Sequence, residues 1–85
     1  MGRKATPGTH RITVWPVLND RPSATPAFTG RDVQQVSAER MYNTITYANA
    51  KGLAEVEAPA YLVVVEQLET ERWVHEKART IRPAS

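Results

Sequence analysis

The sequence predicts an α+β fold: a small single domain in which a three-stranded sheet, β-α-β-β along the chain, carries one long helix packed on one face. Three observations predict it. Residues 10–18 and 61–66 are rich in β-branched and aromatic residues, as strands are. Residues 31–51 space their apolar side chains as a helix does and end beside a glycine. Residues 72–81 alternate in the manner of a further strand. With 85 residues there is room for one domain. A chain this short buries only about 60% of its unfolded surface, so the core is thin.

In chain order, residues 1–9 (Met-Gly-Arg-Lys-Ala-Thr-Pro-Gly-Thr) read as a flexible basic tail, followed by the domain at 10–82 and a short C-terminal tail at 83–85. In the first strand, Ile12 and Val14 share one face, and Thr13, Trp15 and Val17 the other. Pro16 cannot donate to a ladder, which predicts an edge strand or a bend. Residues 19–26, with two prolines after an Asn-Asp pair, read as a loop.

Thr29-Gly30-Arg31-Asp32 resembles a capping box with Asp32 in place of Glu. Val33, Val36, Met41, Ile45 and Ala48 then follow near one helical face, and Gly52 suits a C′ position. The preferred reading is a helix over about 31–51. The alternative starts the helix at a Ser37 cap and makes 28–36 a second strand, in a hairpin with the first.

Three consecutive valines in Tyr61-Leu62-Val63-Val64-Val65-Glu66 predict a central strand buried on both faces. In the last segment Trp73, His75, Lys77, Arg79 and Ile81 fall on one side, with the turn around 68–71. A C-terminal helix is the competing reading, because Gln67-Leu68-Glu69 and Glu76-Lys77-Ala78-Arg79 are good helix formers. The expected core is Ile12, Val14, Val33, Val36, Met41, Ile45, Leu62, Val64, Leu68 and Val74. So short a set makes self-association an attractive source of added burial.

The chemistry-bearing residues are few. There is no cysteine, hence no disulfide, thiolate nucleophile or cysteine-ligated zinc. His10 and His75 lack helical partners at metal-ligand spacing, and the expectation is no metal and no cofactor. No Gly-x-Ser-x-Gly elbow occurs, and the four glycines are too scattered to cradle a phosphate. The acidic pairs Glu55/Glu57 and Glu69/Glu71 read as solvated turns rather than tuned acids. The expectation is a protein without enzymatic activity. The longest unbroken apolar run is 61–65, too short to span a membrane, and the N-terminus lacks the apolar core of a secretory signal. A cytoplasmic protein is the simplest expectation.

Charge is segregated beneath a net +2. Arg3, Lys4 and Arg11 lie at one end and Lys77, Arg79 and Arg82 at the other, while Glu55, Glu57, Glu66, Glu69 and Glu71 fall between 55 and 71. Two functions follow. In the first, a sheet with one helix leaves a face uncovered, on which Trp15, Val17, Val63, Val65, Trp73 and Ile81 emerge as a docking surface for a protein partner. Trp15, Trp73 and Arg79 are its anchors, with Glu66, Glu69 and Glu71 as an electrostatic guide, and the module is expected to be a homodimer. Tyr42 and Tyr47 on the helix are a lesser version of the same case. In the second, nucleic acid is bound by Arg3, Lys4, Arg11, Lys77, Arg79 and Arg82 through phosphate contacts, with Trp73 stacking.

In size, in want of catalytic residues and in charge layout, the chain generally resembles small accessory proteins of bacteriophages and mobile elements. That resemblance implies binding that modulates or inhibits a partner. No motif carries it, and it transfers no functional residue.

Overall fold

The computed structural model describes residues 9–83. They form β1 (His10–Leu18), β2 (Arg21–Pro22), β3 (Phe28–Val33), α1 (Gln35–Thr44), α2 (Tyr47–Ala54), β4 (Ala60–Glu69) and β5 (Arg72–Ile81). The fold is α+β, but not a three-stranded sheet with one long helix. One antiparallel sheet of five strands runs β2-β1-β4-β5, with β3 on the same edge of β1 as β2, and two short helices lie against it.

The first correction concerns the segment after β1. Residues 28–33 are a strand paired with β1, and the helix starts at Gln35, so the hairpin alternative is the one observed. Thr29-Gly30-Arg31-Asp32 is strand and bulge rather than a cap. The register slips between His10 and Ile12, where Asp32 takes the left-handed conformation at φ 54°. β2 and β3 behave as one strand interrupted opposite Pro16. The Pro16 and Val14 carbonyls accept from Ser23 N and Ala27 N, and residues 23–27 bow out where the proline has no N–H to give. Pro16 thus sits in an inner strand, not an edge, because the ladder is broken on its neighbour.

The second correction is the split of the helix. Thr44-Ile45-Thr46 is a β-branched run, the poorest stretch for a helix in this region. Ile45 is extended, and Thr46 caps α2 through a capping box with Asn49, each side chain bonded to the other's backbone N–H at 3.1 Å. Gly52 lies inside α2, which ends at Glu55 in the left-handed conformation.

The β4–β5 pair is a strand hairpin, which overturns the C-terminal helix alternative. Its turn is Thr70-Glu71, both with positive φ, as in the Asn19-Asp20 turn between β1 and β2. Two-residue turns demand that conformation, which Asn and Asp tolerate and a β-branched Thr does not. Thr70→Asn with Glu71→Gly is therefore expected to stabilise the domain by about 1–2 kcal/mol, read from the urea midpoint.

β3 and β4 flank β1 and are both antiparallel to it, so the chain must cross one face between them, and α1 and α2 are that crossing. The core lies beneath. Ile12, Val14, Tyr61, Val63, Val65 and Ile81 from the sheet meet Ala38, Ile45, Ala50, Ala54 and Ala58. The alanines let helix backbones approach the sheet closely. Expected core residues Ile12, Val14 and Ile45 are buried, and Val33 and Met41 pack on the cluster. Val36 is 68% exposed, because it faces away from Ala38, and Leu68 is 41% exposed. Leu62 and Val64 point to the other face, since β4 buries its odd-numbered residues instead.

Candidate functional site

The site is the sheet face that no helix covers. Register places side chains on it in rows. Trp15, Leu62 and Thr80 form one, Thr13, Val64 and Ala78 the next, then Arg11, Glu66 and His75, with Leu68 and Trp73 at the end. Trp15, Val17, Leu62, Val64 and Trp73 are each partly exposed. Trp15 lies along its own strand, its indole Nε1–H donating to Thr13 Oγ1 at 2.9 Å, which leaves Thr13 only 3% exposed. Arg11 donates through Nε to Glu66 Oε1 at 2.7 Å and stacks on Trp73, its guanidinium carbon 4.5 Å from the ring centroid.

The anchors expected from the sequence do not all gather here. Trp15, Val17 and Trp73 share this face, whereas Val63, Val65 and Ile81 lie beneath the helices. Arg79 also lies on the helix side, donating through Nη2 to the Ile45 carbonyl at 3.0 Å and passing 5.4 Å from the Tyr42 ring centroid. The cause is a bulge at Glu76. Val65 pairs with Lys77 but Glu66 pairs with His75, so the alternation inverts within β5. Trp73 and His75 face outward, and Lys77, Arg79 and Ile81 face inward. Sequence reading also missed Leu62 and Val64 on this face, and the Arg11–Glu66 pair, which joins residues 55 apart.

The acidic guide is dispersed. Glu66 is engaged with Arg11, Glu69 is exposed at the end of β4, and Glu71 sits in the turn. Of the basic residues considered for nucleic acid, Arg3 and Lys4 lie outside the described residues. Arg82 is exposed beyond β5. Lys77 faces the helices, 3.9 Å from Glu39 Oε2 and 5.1 Å from the Tyr42 ring centroid. Arg11 alone of the described set is on the open face, already paired. Tyr42 and Tyr47 serve packing: Tyr42 lies under Lys77 and Arg79, and the Tyr47 hydroxyl donates to the Ala58 carbonyl.

The Glu76 bulge has a second effect. It brings Glu76 Oε1 to 3.1 Å from Nε2 of His10, which is 2% exposed. The other ring nitrogen, Nδ1, is 2.9 Å from Thr9 Oγ1. Nε2 has no aligned hydrogen bond, so the carboxylate is its one close polar neighbour among the contacts described. Glu76→Ala is expected to cost about 1–3 kcal/mol in urea unfolding by stranding that nitrogen, and Glu76→Gln distinctly less.

Among the described residues no cluster of three or more His, Asp or Glu is placed to hold a metal. A broad groove of about 500 Å³ between α1 and α2, bordered by Met41, Ile45, Ala48 and Leu53, contains no titratable side chain. Among the described residues no helix is long and apolar enough to cross a membrane. Comparison with protein families, with curated proteins and with solved structures finds no match for the chain.

Proposed function

We propose that this protein is a small non-enzymatic interaction module that docks through the open face of its sheet and modulates or inhibits what it binds by occupying its surface. The observation that carries this reading is the patch of Trp15, Val17, Leu62, Val64, Leu68 and Trp73, partly or fully exposed on a sheet face that no helix covers. A contiguous apolar and aromatic patch with a polar margin is the usual form of a docking surface. The nucleic-acid reading draws less support. Trp73 is already covered by Arg11, and Lys77 and Arg79 are engaged with the helices.

Affinity capture from lysate, split into nuclease-treated and untreated halves, tests the reading, with Val64→Asp beside the unaltered chain. Retention of a protein after nuclease, and its loss in Val64→Asp, is the expected result. Recovery that vanishes with nuclease or modest salt moves the assignment to nucleic acid. Recovery indifferent to Val64→Asp removes the sheet face from the function.

A further inference from the structure

We draw no further inference here: the strongest candidate, the open sheet face around Trp15, Leu62, Val64 and Trp73, belongs to the site already described, and nothing in the structure shows what covers it.

Discussion

Tyr61→Phe is expected to destabilise the domain by about 2–3 kcal/mol, a large loss for the removal of one oxygen atom. Tyr61 is fully buried at the start of β4. Its hydroxyl donates to the Val56 carbonyl and accepts from Ala58 N–H at 3.1 Å. Phenylalanine keeps the ring packing against Tyr47, 5.3 Å away between centroids, but strands two backbone groups of the α2–β4 connection. Each stranded group carries its own desolvation cost.

The same hydroxyl gives a pH signature. Burial holds its pKa above the ordinary tyrosine value, and Tyr47 and Glu57 add to the rise, against the lowering effect of the Ala58 N–H. The folded state therefore keeps its proton at a pH where the unfolded chain, titrating near about 10, has begun to lose it. The stability this contributes is full below about pH 10 and is lost as pH rises through the folded value. Urea unfolding between neutral and strongly alkaline pH is expected to show that fall, and Tyr61→Phe to reduce it. An unchanged alkaline profile in the variant would assign the fall to other groups.

The second large effect separates two adjacent valines. Val63→Asp is expected to abolish folding, since an unpaired carboxylate under the helices costs several kcal/mol against a total of about 5–15. Val64→Asp, on the open face, is expected to cost only about 1 kcal/mol when measured at low protein concentration. Thermal denaturation of the two variants reads the contrast. Equal loss in both would mean that the assignment of β4 residues to faces is wrong.

That contrast also marks where sequence stops being informative. Residues 61–66 identify a strand by composition, but three consecutive valines carry no alternation, so their parity is open. It was decided by Tyr61, whose buried hydroxyl bonds the Val56 carbonyl and the Ala58 N–H, and by the pairing of Val65 and Val63 with Ile12 and Val14. The alternation in 72–81 was legible, and a single bulge at Glu76 inverted it halfway. That separated Trp73 from Arg79, which the sequence had placed together. Bulges leave no mark in hydrophobic periodicity, because they answer to the neighbouring strand.

By itself the sequence determined the α+β class, the strands at 10–18 and 72–81, a turn around 68–71 and the emergence of Trp15 and Trp73 on one uncovered face. These rest on local preferences: β-branched runs, turn chemistry and period-two patterning. The tertiary structure decided the rest. It made 28–33 a strand, since those backbone groups are satisfied by β1 and not by a helical turn. It broke the helix at Ile45, and it buried His10 beside Glu76. It also assembled the open face from Arg11, Glu66, Leu62 and Val64, which lie far apart in the chain. Each is a question of which distant partner satisfies a backbone or buries a side chain, and only the assembled sheet answers it.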